Sequence, residues 1–184
     1  MPKAFLALTT YLGCVLAAAP SRAFDVDLVS VGIRARVSSD RVLGREQPEA
    51  FHEYDVWAAF RLPLQAYDKS SWGVGTRLLT SAGYLEGGGS SALVLSVLPV
   101  LAFGTQDGRF TLDVGAGLAV LSESKFAQQD FGGLVQGALT AGVSIPLYQR
   151  VGVGYRYMHY SDWGAYGPTT IGADFHMVEL ILRF

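Results

Sequence analysis

The 184-residue sequence contains a single cysteine, Cys14, in a stretch that does not read as part of the fold. Lys3 supplies a positive start, Phe5 to Ala19 form a short apolar run, and Ser21, Arg22 and Ala23 offer the small-residue cleavage site of a secretory leader. Tyr11, Leu12 and Gly13 ahead of Cys14 make a poor lipoprotein signal. With cleavage after Ala23, the mature chain 24–184 has no thiol, which excludes a disulfide framework, a cysteine nucleophile and sulfur ligation of a metal. Positive charge is also scarce. Without Lys3 and Arg22 the mature chain has 12 basic residues against 16 acidic ones, about −4, so it lacks the basic patch a nucleic-acid partner would want. Long hydrophobic runs are missing as well: the longest, Ala92 to Phe103, has about 12 residues where a membrane helix needs roughly 20. No cofactor is expected, because Gly87-Gly88-Gly89 opens no helix and Gly152-x-Gly154 lies in a strand pattern, so neither cradles a phosphate.

What the chain does have is apolar residues, 50% of the total, with only 16% charged. An apolar chain without spanning helices is either a deeply buried globule or a membrane barrel. Alternation with a period of two separates these options. Phe110, Leu112, Val114, Ala116, Leu118 and Val120 fall on one face, against Thr111, Asp113, Gly115, Gly117 and Ala119. Val135, Leu139, Val143 and Ile145 oppose Gln136, Thr140 and Ser144. Val29, Val31, Ile33, Ala35 and Val37 oppose Ser30, Gly32, Arg34 and Arg36. Arginines on an inner face suit a polar lumen surrounded by a lipid-facing apolar wall.

Eight such segments lie near 26–37, 51–62, 72–82, 92–103, 110–121, 134–145, 151–161 and 174–184, each about the length of a tilted membrane strand. Connections at 63–71, 104–108 and 146–150 are short. Those at 38–50, 83–91, 122–133 and 162–173 are longer and richer in Gly, Ser and charge. The expected fold is therefore an all-β, eight-stranded antiparallel barrel of an outer membrane, a single domain with both termini on the short-turn side. Val178, Leu180, Leu182 and Phe184 alternate to a C-terminal phenylalanine, which fits that class. Pro99, inside the fourth segment, cannot donate a ladder hydrogen bond and predicts a bulge or local break.

The seventh segment places Tyr155, Tyr157, His159 and Ser161 on its outward face, with Gly152, Gly154 and Arg156 inward. Asp174 has the outward parity of Val178 and Leu180, and the last two segments form a hairpin. A serine, a histidine and a carboxylate thus share one outer surface. In such a set the imidazole takes the hydroxyl proton and the carboxylate orients the ring. His176 shares the face and could join His159 and Asp174 at a metal, although an interfacial histidine without a partner is the plainer reading. Glu179 points inward, where Arg34, Arg36, Arg61, Arg77 or Arg156 could pair with it structurally.

The run His159-Tyr160-Ser161-Asp162-Trp163-Gly164, then Gly172-Ala173-Asp174 and the closing strand Phe175 to Phe184, resembles the lipid A 3-O-deacylases, the PagL-like outer-membrane acyloxyacyl hydrolases. The rest of the chain agrees in its eight-segment layout and its leader. The resemblance implies a serine esterase acting on lipopolysaccharide, with Ser161 as nucleophile, His159 as general base and Asp174 as the acid. It also implies oxyanion donors at Asp162 and Gly164. Two positions depart from the family: Asp162 stands where an asparagine donates, and Asp174 is shorter than the usual glutamate. An ionised carboxylate accepts hydrogen bonds and cannot donate one. Losing one oxyanion donor costs about 100- to 1,000-fold in rate. The alternative is a non-catalytic barrel with a structural or surface-binding role. A small pore is disfavoured, because eight strands leave little channel. The sequence leaves assembly as a homodimer open.

Overall fold

An apolar outer face and a small-or-polar inner face suit a sheet that curls shut in lipid, and this one does curl shut. The computed structural model describes residues 27–38, 41–42, 45–68, 72–167 and 170–184; the expected leader, 1–23, lies outside them. Eight strands form a closed antiparallel barrel, as the alternation predicts. They are β1 (Leu28–Ser38), β2 (Phe51–Tyr67), β3 (Trp72–Gly87), β4 (Ser90–Thr105), β5 (Thr111–Leu121), β6 (Val135–Tyr148), β7 (Val151–Ser161) and β8 (Ala173–Arg183). Each pairs with its chain neighbour, and β1 closes the ring on β8 from Ser30 opposite Arg183 to Ser38 opposite Phe175. Closure removes the sheet edges that would otherwise invite pairing with another chain.

The expected connection at 83–91 is not a loop. β3 and β4 run on to a two-residue turn, Gly88 and Gly89, both with positive φ (55° and 77°), as a type I′ hairpin requires. Likewise β2 continues through Pro63 to Tyr67, with a register shift between Arg61 and Gln65. At Pro99 the ladder to β5 is interrupted, pairing being recorded for Val97 with Leu118 and next for Val100 with Gly115. The register is the same on both sides, so this is a local break without a bulge.

The outward wall carries Ile33, Val56, Leu95, Leu101, Val114, Leu139, Val178 and Leu180, all exposed. The lumen is filled. Glu53, Arg36, Asp55, Arg34, Glu179, Arg156 and Asp113 form a continuous buried chain of alternating sign, with successive contacts of 2.5, 2.8, 2.5, 3.3, 2.8 and 2.6 Å. Glu179 thus takes two of the arginines offered to it. Arg61 instead meets Asp27 at the exposed short-turn rim, and Arg77 reaches Thr111. Above the ion chain, Phe126 and Phe131 of the 122–134 loop fold in against Phe51 at ring centroid distances of 5.2 and 5.7 Å, with Phe175 at 6.3 Å from Phe51. At the other rim, Arg183 donates to the carbonyls of Gly108 and Arg109.

Candidate active site

Strand parity alone puts His159 and Ser161 on the outer wall, and β7–β8 register decides what meets them. His159 stands directly opposite Asp174 on β8, and opposite Leu139 on β6. His159 Nδ1 and Asp174 Oδ1 are 2.6 Å apart. With Nδ1–H donating to the carboxylate, the Nε2 lone pair is left free to accept a proton. A one-methylene-shorter acid suits this geometry, because directly opposed Cβ atoms in an antiparallel pair lie only about 4.5–5.5 Å apart. Both residues are 5% exposed, so although their side chains face outward they are packed into the wall rather than standing free of it.

Ser161 is the last residue of β7, on the same face and roughly 7 Å along the strand from His159. Its Oγ accepts the Trp163 N–H at 3.1 Å. Opposite Ser161 on β6 is Gly137, and the Trp163 ring lies over it: a Cβ at Gly137 would come within 2.4 Å of the ring. Trp163 itself remains 63% exposed, forming an aromatic flank beside the hydroxyl.

Between them in sequence, Tyr160 points the opposite way, into the lumen. Its hydroxyl accepts from Arg36 at 2.5 Å, and Arg36 also holds Glu53. The stretch carrying both outward groups is therefore braced from behind by the buried ion chain.

Asp162 and Gly164 sit in the connection that follows. Trp163 and Gly164 have φ of 52° and 78°, so the chain turns sharply here, and glycine serves the second of these positions. The Asp162 carboxylate accepts the Gly164 N–H (3.0 Å), the Tyr166 N–H (3.0 Å) and the Thr170 hydroxyl (2.8 Å). Partial burial acts to raise its pKa, but these donors together hold Asp162 below the usual carboxylate range. It is thus an ionised acceptor that organises its own loop. Tyr166 packs over Gly132 and Gly133, and the Ile171 N–H donates to the Asp130 carbonyl at 3.4 Å, docking this loop on the 122–134 loop.

His176, expected to lack a partner, has one: its Nδ1 bonds the Tyr155 hydroxyl, and the two rings stack at 6.0 Å. Tyr157, two residues before His159 on the same face, packs its ring against His176 at a centroid distance of 5.7 Å. Outward parity already placed Tyr157 beside the histidine, and that signal could have singled it out. Nothing in the sequence pattern points to Thr170. Among the described residues no group of three or more His, Cys, Asp or Glu side chains is arranged to hold a metal ion.

A family model described as lipid A 3-O-deacylase (PagL) matches residues 52–183. The fold is similar to that in the crystal structure of the outer membrane enzyme PagL, with a TM-score of 0.66 and 18% identity. That similarity covers 83% of this chain and 99% of the other. No curated protein sequence matches the chain.

Proposed function

The chain belongs to the lipid A 3-O-deacylase (PagL) family, and from that premise we propose that it is an outer-membrane serine esterase that removes the 3-O-linked acyl chain of lipid A. The observation that carries this reading is the His159–Asp174 hydrogen bond on the outer wall, one same-face step from Ser161. A filled lumen admits no acyl chain, so an ester buried among lipid chains can meet the site only from outside.

In the first step His159 Nε2 takes the Ser161 hydroxyl proton as Oγ bonds to the ester carbon and the carbonyl electrons move onto oxygen. Asp174 stabilises the imidazolium. Collapse breaks the bond to the sugar 3-oxygen, which receives the proton from Nε2 and leaves as a free hydroxyl. Water then repeats the sequence on the acyl-serine, releasing a fatty acid and restoring the enzyme. The family pattern assigns oxyanion stabilisation to positions 162 and 164. Here the Asp162 carboxylate cannot donate, and it occupies the Gly164 N–H. The Trp163 N–H, already on Ser161 Oγ, is the donor best placed to follow the charge. Turnover is accordingly expected to be slow for this architecture.

Purified protein folded in detergent micelles with lipid A should release fatty acid, and Ser161→Ala or His159→Ala should lower the rate at least about a thousandfold. Variants as active as the native protein would remove the proposal. The saturated Asp162 carboxylate favours a second reading, a non-catalytic barrel with a structural or surface-binding role. Absence of release by both the native barrel and Asp162→Asn would select it.

A further inference from the structure

Away from the outer wall, the short-turn end of the lumen holds two arginines that the ion chain does not use. Arg77 on β3 and Arg183 on β8 converge on Gly108, in the turn between β4 and β5. Arg183 Nε donates to the Gly108 carbonyl at 2.8 Å, and a Cβ at Gly108 would lie 3.4 Å from Arg77 Nη2. Both side chains border a lumenal cavity of about 20 Å³, which also touches Asp113, Arg156 and Glu179. Arg183 is 5% exposed, and its Nη1 has no acceptor. We infer that this cavity is a halide site: one chloride ion sits between Arg77 and Arg183 and ties β3, β8 and the β4–β5 turn together.

Charge, donors and size each point to that ligand. The ion chain has three arginines against four carboxylates. Arg183 balances it, and Arg77 is then a cation in excess. Among the described residues, neither Arg77 nor Arg183 forms an ion pair. The carboxylates that border the cavity do not answer them, because Arg156 holds both Asp113 and Glu179. Arg77 reaches the Thr111 hydroxyl at 3.4 Å, and Arg183 reaches only main-chain carbonyls. Neutral acceptors leave two guanidinium charges beside one small space, and buried charge is costly without a counter-charge. Arginine cannot shed its proton to escape that cost. A cavity of about 20 Å³ admits one water-sized body, which excludes phosphate and carboxylate groups. Water would satisfy the free N–H donors but not the charge; a monatomic anion satisfies both. Arg183 is held ready for it, its guanidinium lying over Gly152 where any Cβ would collide with it.

The test uses the protein folded in zwitterionic micelles, with chloride exchanged at constant ionic strength for gluconate, an anion too large for the cavity. An ion that binds only the folded state stabilises it by mass action, so raising chloride from about 20 to about 200 mM should lower the urea unfolding constant at least about threefold. Bromide should act alike. Arg77→Gln keeps a polar side chain but removes the excess cation, and should abolish the dependence. Anomalous diffraction from native crystals grown in bromide needs no variant, and should show one ion touching both guanidinium groups. Equal stability in chloride and gluconate, an undiminished chloride effect in folded Arg77→Gln, or an anomalous map empty at the cavity would each overturn the site. A bromide peak without chloride-dependent stability marks an adventitious ion only, and overturns it as well.

Discussion

At position 162 a single atom decides between accepting and donating a hydrogen bond. Asp162 Oδ1 takes one donor, the Gly164 N–H, while Oδ2 takes two, Tyr166 N–H and the Thr170 hydroxyl. An asparagine would keep its oxygen on the two-donor side, because losing one bond costs less than losing two. Its amide group would then face Gly164, displacing that N–H from its acceptor. Asp162→Asn therefore supplies an amide donor and frees a second one together, and kcat for deacylation should rise by at least about tenfold. An unchanged or lower rate in a folded variant would contradict this. The carboxylate also makes the loop pH-sensitive in a defined sense. Its pKa is depressed in the folded protein, so its contribution to loop order is complete above the ordinary carboxylate range and is lost as pH falls through the lower folded value. The amide resonances of Gly164 and Tyr166 should hold steady from neutrality down through pH of about 4 and move only below it. The three outward residues Ser161, His159 and Asp174 were legible from parity, since one face of a strand repeats every second residue. The partners of Asp162 were not, because a loop has no period.

β7 is the element in which both faces matter. Outward it presents Tyr155, Tyr157, His159 and Ser161; inward, Arg156 and Tyr160 tie it to the buried ion chain. Arg34 lies in the middle of that chain, joining Asp55 on β2 to Glu179 on β8. Removing it by Arg34→Met leaves two buried carboxylates each short of a cation. Breaking a buried pair from one side typically costs about 3–5 kcal/mol, and denaturant unfolding of the folded barrel should report a loss of that order. A change below about 1 kcal/mol would mean that water already reaches the lumen. The inward arginines were readable from alternation, but their pairing order was not, since it depends on which strands face one another across the barrel. The Gly88–Gly89 hairpin was missed for a different reason. Glycine-rich sequence reads as loop, yet two consecutive glycines are also what a tight turn with positive φ needs.

For the whole molecule, the strand number, the closure and the direction of each face follow from one regularity, the two-residue period. The cap does not. Phe126 and Phe131 lie in a connection without periodicity, and only the fold reveals that they turn inward to meet Phe51. With ion pairs and aromatic rings filling the interior, planar bilayers containing the protein should carry no steady single-channel current. A stable conductance would show the lumen to be open. With the interior filled, the proposed chemistry belongs to the outer wall, which makes Ser161 the pivot of the account. The most direct measurement is the mass spectrum of lipid A from cells producing the native barrel beside cells producing Ser161→Ala, with assembly of both confirmed. The account predicts loss of one 3-O-linked acyl chain with the native protein and an intact acyl pattern with the variant; identical spectra from the two would contradict it.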